Sequence, residues 1–248
     1  MKTVLITGAS SGIGQALALD YAKQGYQVIA CGRSIQRLES LVQADENISS
    51  LVFDINDEQQ IHHACSTLPS LDLVILNAGD CQYIDDVINF DAKIFEQIIN
   101  TNLISIAKLM EKLLRLIQPH GQLVLMGSSA TILPFPRAQA YGASKAGLAY
   151  LAESLAIDLC KHQVKVSLIS PGFIDTPLTE KNTFAMPFLL SADEASKRII
   201  KGIKQEKAHI SFPKRLIWPM KVLSFLPRTW WRAMAQLITQ KPTGAVSQ

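Results

Sequence analysis

The sequence predicts an α/β protein in which a doubly wound, mostly parallel sheet of seven strands carries helices on both faces. Three observations carry that prediction. Short β-branched or continuously apolar runs recur along the chain, stretches with helical spacing separate them, and the first run ends in a glycine-rich turn. The 248 residues, 48% hydrophobic and 18% charged, hold enough apolar material for one large domain. Glycine (13) and proline (11) are near average usage and no repeat or low-complexity tract occurs, which excludes a disordered, collagen-like or solenoid chain.

Residues 2–7 form the first strand, and Ile13, Ala16, Leu17 and Tyr21 then recur at helical spacing until Gly25 stops them. Residues 27–31, 50–53, 72–76, 122–126 and 164–169 are further apolar runs, mostly without alternation, as expected of strands covered on both faces. Helical patterns lie between them near 34–44, 57–67, 91–117 and 139–161. A helix at 192–205 precedes a seventh strand at 208–212. In such a sheet, ligands bind outside the carboxyl ends of the strands.

The four cysteines (Cys31, Cys65, Cys81, Cys160) are far apart, and the five histidines show no ligand spacing, so no metal site or disulfide framework is indicated. The apolar run before Gly8 is too short for a signal peptide, and a reducing cytoplasm is the expected compartment. Charge is unevenly spread. Residues 1–206 carry 17 basic and 21 acidic side chains, whereas 207–248 carry 7 basic and none acidic. All three tryptophans (Trp218, Trp230, Trp231) fall in that basic stretch, so residues 1–212 form the expected catalytic domain and 213–248 a basic, apolar tail.

Thr7-Gly8-Ala9-Ser10-Ser11-Gly12-Ile13-Gly14 lies where the first strand turns into the first helix, and the N–H groups of a helix start suit a phosphate. Gly8 takes a tight turn, Gly12 lets the backbone approach a pyrophosphate, and Gly14 permits close helix–strand packing. Glycines alone would also serve a plain chain reversal; their place after the first strand points to a dinucleotide. At the end of the second strand, Cys31-Gly32-Arg33-Ser34 offers no carboxylate for the ribose hydroxyls of NAD, and the Arg33 guanidinium suits a 2′-phosphate. The expected cofactor is NADP(H) in preference to NAD(H). The alternative is a solvated Arg33 that merely opens the next helix, with Arg37 one turn later.

On this T-G-x-x-x-G-x-G loop and on further features across residues 3–177, the chain resembles the short-chain dehydrogenase/reductase family. The resemblance implies a Rossmann fold and an NAD(P)-dependent oxidoreductase. It implies cofactor contacts from Gly8, Ser10, Ser11, Gly12, Ile13 and Gly14, from Asp54 toward adenine, and from the Asn77-Ala78-Gly79 signature. Leu76 stands where relatives usually carry a second Asn, which puts one supporting hydrogen bond of the central sheet in question. Pro171-Gly172-Phe173-Ile174-Asp175-Thr176 matches the family turn whose backbone, with Ile174, meets the nicotinamide and whose Thr176 helps fix its carboxamide.

Tyr141 and Lys145 are one helical turn apart on the same face of the 139–161 helix, so they are able to act on one ligand. A free phenol is a poor base at neutral pH, and a nearby fixed cation favours the phenolate. Alone, the pair also fits a solvated face. The resemblance implies that Tyr141 and Lys145 are catalytic and that Lys145 also binds the nicotinamide ribose. It adds Ser128, thirteen residues before Tyr141, with Ser129 as the rival assignment, and Asn102, which would relay protons through water to the lysine.

The expected activity is interconversion of a ketone or aldehyde and its alcohol by hydride transfer. Rivals are a non-catalytic NADP-binding redox module and a dehydratase or epimerase built on the same residues. Residues 177–191, rich in apolar side chains, stand where relatives carry a mobile substrate lid, and the helices near 91–117 and 139–161 resemble those through which relatives form homo-oligomers.

In the tail, Trp230, Met234, Leu237 and Ile238 share one helix face and Arg228, Arg232 and Gln236 another. Residues 216–226 are apolar but too short to span a bilayer. Peripheral docking on an anionic membrane, with a lipid-like substrate, competes with a tail folded over the cleft or into a subunit interface. Nucleic acid is a poor partner, because the tail cations are interleaved with bulky apolar groups and the body is net acidic.

Overall fold

The structure, a computed structural model, is described for residues 1–182 and 184–239, and for side chains as far as Leu237. The elements run β1 (Thr3–Thr7), α1 (Gly12–Ala22), β2 (Gln27–Gly32), α2 (Ile35–Ala44), β3 (Ile48–Val52), α3 (Glu58–Cys65), β4 (Leu71–Leu76) and α4 (Ala92–Ile99). They continue α5 (Ser105–Leu113), β5 (Ile117–Met126), α6 (Gln139–Leu159), β6 (Lys165–Pro171), α7 (Ala192–Lys204), β7 (His209–Phe212), α8 (Lys214–Ser224) and α9 (Arg228–Thr239). All seven strands are parallel, in the order β3-β2-β1-β4-β5-β6-β7. The predicted doubly wound Rossmann sheet is the observed one.

Strand periodicity explains the double winding. Alternate residues of β1, β4 and β5 feed opposite cores: Val4, Ile6, Ile75 and Val124 pack with α1 and α7 through Leu17, Tyr21, Ile199 and Ile203. Leu5, Val74, Leu76 and Leu125 pack on the other face with Ile61 of α3, Leu109 of α5 and Leu148 of α6. Because both faces are covered, the middles of the central strands carry consecutive apolar residues, Val4–Ile6, Leu73–Leu76 and Leu123–Met126.

Three local features differ from the expected elements. The 91–117 stretch is no single helix: a π-helical turn at Asn100–Ile104 separates α4 from α5, and a 3-10 turn at Leu114–Leu116 leads into β5. The wider turn places Asn102 inward, 1% exposed, while the Ser105 hydroxyl donates to the Thr101 carbonyl at 2.6 Å. β5 begins at Ile117, five residues earlier than expected, because Ile117 already pairs with Leu71 before a register shift. The polar Gln118-Pro-His-Gly insert hides that pairing from a hydrophobicity reading. Leu76 costs the sheet little: the backbone N–H groups of Asn77 and Ala78 both donate to Thr7 Oγ1, at 3.0 and 3.1 Å. Asn77 Nδ2 donates to the Thr7 carbonyl at 3.0 Å as well.

The described residues of the tail, as far as Thr239, fold as two helices. α8 lies against the body through Ile217 and Met220, which are 3% and 8% exposed. α9 is tied down by Trp231, whose indole N–H donates to the Pro134 carbonyl at 2.7 Å and whose ring meets Phe135 edge-on at 5.7 Å. Among the described residues, no helix is long and apolar enough to cross a membrane. The expected placement of the Ile238 side chain, Thr183 of the lid and tail residues 240–248 lie outside what is described.

Candidate active site

A cleft of about 870 Å³ opens at the carboxyl ends of the central strands, where strand order reverses between β1 and β4. Its floor at one end is the glycine loop. Gly8 has a φ of +67°, and a Cβ there would meet the Ala78 Cα at 2.9 Å; a Cβ on Gly14 would come within 2.2 Å of the Gly8 carbonyl oxygen. Ser11 precedes α1 in an extended conformation with no side-chain cap, so the first N–H groups of that helix receive no acceptor from it. Ser11, Gly12 and Ile13 line the cleft at that point.

Of the residues singled out in the sequence, Gly8, Ser10, Ser11, Gly12, Ile13, Arg33, Asp54, Asn77, Ala78, Gly79, Tyr141, Lys145, Pro171, Gly172, Ile174 and Thr176 line this one cleft. Gly14 supports the loop from behind. Asn102 and Ser128 are buried beneath the surface, 1% and 8% exposed. At the rim, the exposed Arg33 guanidinium lies 3.7 Å from the Asp54 carboxylate, so two residues assigned to separate parts of a nucleotide form one ion pair. Across the cleft, Thr176 closes over the glycine loop: a Cβ on Gly12 would meet its Cγ2 at 2.9 Å. A bridge between Ile174, just before the 177–191 segment, and Leu190 near its end closes the base of that segment.

At the other end stand the phenol and the ammonium. α6 delivers both, and the Lys145 Nζ lies 5.8 Å from the centre of the Tyr141 ring and donates to the Met126 carbonyl at 2.8 Å. Burial pushes the Tyr141 phenol up to about 12, partly offset by its hydrogen-bonding contact with the Ser128 hydroxyl. Burial pushes the Lys145 ammonium down to about 8. The sequence argument expects the lysine to draw the phenol down; here desolvation governs both groups and drives them apart, the phenol up and the ammonium down, each toward its neutral form. Ser128, not Ser129, is the serine in contact with the phenol, and its Oγ also accepts from the Ala130 N–H at 3.1 Å.

Asn102 braces the site. Its Nδ2 donates to the Asp80 carbonyl at 2.8 Å and to Ser144 Oγ at 3.0 Å, and its Oδ1 accepts from the Asp80 N–H at 2.8 Å. Both amide hydrogens are thus engaged by the protein, locking the loop after β4 to α6. Any water relay at this residue has to use its remaining acceptor capacity.

Sequence reasoning missed a group of aromatic residues beside Tyr141. Phe184 meets Tyr83 at 5.8 Å and Phe173 at 6.0 Å between ring centres, and the Tyr83 hydroxyl donates to Asn182 Oδ1 at 2.9 Å. The Arg137 guanidinium lies 5.0 Å from the centre of the Tyr83 ring and pairs with Asp85. The Cys81 thiol touches the Tyr83 hydroxyl, and burial pushes it up. Residues 80–90 have neither helical nor strand period, so nothing in their pattern signals this convergence.

A Rossmann sheet with a tyrosine and a lysine one turn apart at its crevice defines a recognisable class of α/β protein, and the comparisons place the chain within it. The family model described as short chain dehydrogenase matches residues 2–186, and the chain belongs to that family of oxidoreductases. It is 35% identical to a Myxococcus xanthus protein named only as an uncharacterized oxidoreductase, over 95% of this chain and 96% of that one. It is 32% identical to a serine 3-dehydrogenase of Agrobacterium fabrum, over 81% of each chain. A solved structure of serine dehydrogenase in closed form with NADP+ superposes with a TM-score of 0.74 at 25% identity, covering 85% of this chain and 94% of that one.

Proposed function

We propose that the protein is an NADP(H)-dependent oxidoreductase that interconverts a ketone or aldehyde and the corresponding alcohol. The observation that carries this reading is the single cleft running from the glycine loop to the Tyr141–Lys145 pair. The loop fits a dinucleotide: the positive φ and close contacts of Gly8 keep it open to a pyrophosphate, and the uncapped start of α1 supplies N–H donors. Arg33 is free to exchange its exposed pair with Asp54, an interaction worth at most about 1 kcal/mol, for the stronger grip of a 2′-phosphate.

When bound, the cofactor supplies or accepts a hydride at its nicotinamide ring. The protein does the rest. Pro171, Gly172, Ile174 and Thr176 hold the nicotinamide end, Asp54 the adenine, and Asn77, Ala78 and Gly79 the middle of the cleft. Ser128 hydrogen-bonds the substrate oxygen. Tyr141, kept protonated at neutral pH by its burial, donates the proton in reduction and recovers it in oxidation. Lys145 keeps a cation beside the ring and holds the ribose, and Asn102 positions the loop and α6 around them. The rim of Tyr83, Phe173 and Phe184 favours an apolar, lipid-like carbonyl compound. In this reading residues 1–212 are the catalytic domain, 177–191 its lid, and α6 the seat of a homo-oligomeric contact through Tyr150 and Ile157, which are 80% and 77% exposed.

The test is turnover of ketones of graded chain length by purified protein with NADPH or NADH. Reduction with NADPH is expected. Tyr141→Phe is expected to lose at least about a hundred-fold in rate while still binding NADPH, and Arg33→Ala to weaken NADPH more than NADH. Tight NADPH binding without turnover of any carbonyl or alcohol would favour the non-catalytic reading, and full activity of Tyr141→Phe would sink the mechanism.

A further inference from the structure

Each tail helix carries two apolar faces, and only one of them is used by the body. In α8, Leu216, Ile217 and Met220 point inward, and Leu216 reaches Gly172 closely enough that a Cβ there would meet its Cδ2 at 2.6 Å. On the opposite side Trp218, Val222 and Phe225, which lie within about 60° of arc at 100° per residue, are 65%, 60% and 90% exposed. α9 repeats the arrangement. Trp231 is anchored on Pro134 and Phe135, while Trp230, Met234 and Leu237, again spaced i, i+4, i+7, are 62%, 38% and 64% exposed. A soluble surface rarely shows two such stripes on adjacent helices, so the face is built to be covered.

Charge decides what covers it. Arg215 lies to one side of the α8 stripe and Lys214 and Lys221 to the other, by their helical angles. Arg228 and Arg232 occupy the far side of α9. No acidic residue occurs anywhere after Glu206. A symmetric contact with a second copy would bring these cations against each other with nothing to neutralise them. An anionic lipid surface fits instead: tryptophans seat at the headgroup level, and lysines and arginines flanking an apolar stripe reach out to lipid phosphates. We propose that the outer faces of α8 and α9 form a peripheral docking surface for anionic membranes, with Trp218, Phe225 and Trp230 as its apolar anchors.

This surface does not depend on the proposed reaction, and its test needs no substrate. Full-length protein is floated with vesicles of phosphatidylcholine alone or mixed with phosphatidylglycerol, at low and high salt. Two variants accompany it: Trp218→Ser with Phe225→Ser and Trp230→Ser, and Lys214→Gln with Arg215→Gln and Lys221→Gln. All the substituted side chains are exposed, and thermal unfolding checks that both variants keep the wild-type fold. Flotation is expected with the anionic vesicles only, reduced by salt, lost in the apolar variant, and weakened about a hundred-fold in the charge variant. Absence of flotation with anionic vesicles overturns the proposal. So does flotation that persists in both variants. A dimer that the apolar variant dissolves, in protein that ignores vesicles, would assign the face to a second copy instead.

Discussion

Lys145 is held almost wholly out of water, 4% exposed, with the Met126 carbonyl as acceptor for its ammonium. Its native pKa is lowered from 10.5 to about 8, so between those values the unfolded chain binds more protons than the folded one. Stability contributed by this residue therefore rises with pH across that window. Compared with Lys145→Met, the wild type is expected to gain about 2 kcal/mol between pH 8 and about pH 10, read from urea unfolding at the two pH values. A difference that stays flat would mean that the ammonium is solvated. The sequence made the pairing of Tyr141 and Lys145 legible, because four residues apart means one helix face. It was silent on what covers that face, and desolvation rather than mutual charge is what sets both groups. Spacing favours Ser128 over Ser129, and it is the Ser128 hydroxyl that meets the phenol, although spacing alone does not say which way the backbone turns two adjacent side chains.

At the scale of elements, the join between β1 and α1 tolerates no side chain at Gly14. The neighbour at 2.2 Å is the Gly8 carbonyl, backbone that has nowhere to move. Gly14→Ala is expected to lose about 3 kcal/mol of stability and to bind NADPH poorly, measured by chemical unfolding and by fluorescence titration of the cofactor. The glycines could be read from the sequence because they interrupt an otherwise regular strand and helix. The π-helical turn around Asn102 could not, since polar residues at buried positions in it and just after it, Asn102 and Ser105, interrupt the apolar period without revealing the extra residue per turn. The loop between β5 and α6 is a second such case. Its Pro134 and Phe135 are held from a distance of 97 residues by Trp231. Trp231→Phe removes the N–H donor and is expected to cost about 1 kcal/mol, with faster amide hydrogen exchange in residues 132–138. Unchanged exchange there would show that the loop holds its shape unaided.

On the scale of the whole molecule, the sequence-derived order of strands and helices was right because strands buried on both faces leave unbroken apolar runs, and helices between them leave a different period. Less accessible was how surfaces meet, since an exposed stripe and a buried one look alike in sequence. Tyr150 and Ile157 of α6 belong to the exposed kind. Light scattering of the wild type is expected to show a homo-oligomer, and Tyr150→Glu with Ile157→Glu to halve its mass or more; a monomeric wild type would refute the contact. The tail adds an optical consequence. Every tryptophan of the chain lies between positions 218 and 231, so ultraviolet emission excited at the indole band originates entirely in α8 and α9 and none of it in the sheet. Trp231 emits from a site beside Phe135, Trp218 and Trp230 from the solvent-facing side. Emission followed through a denaturation therefore reports on α8 and α9 alone, whereas far-ultraviolet circular dichroism averages over every helix and strand, and an emission change that precedes most of the loss of ellipticity marks the release of the last two helices while the sheet still stands.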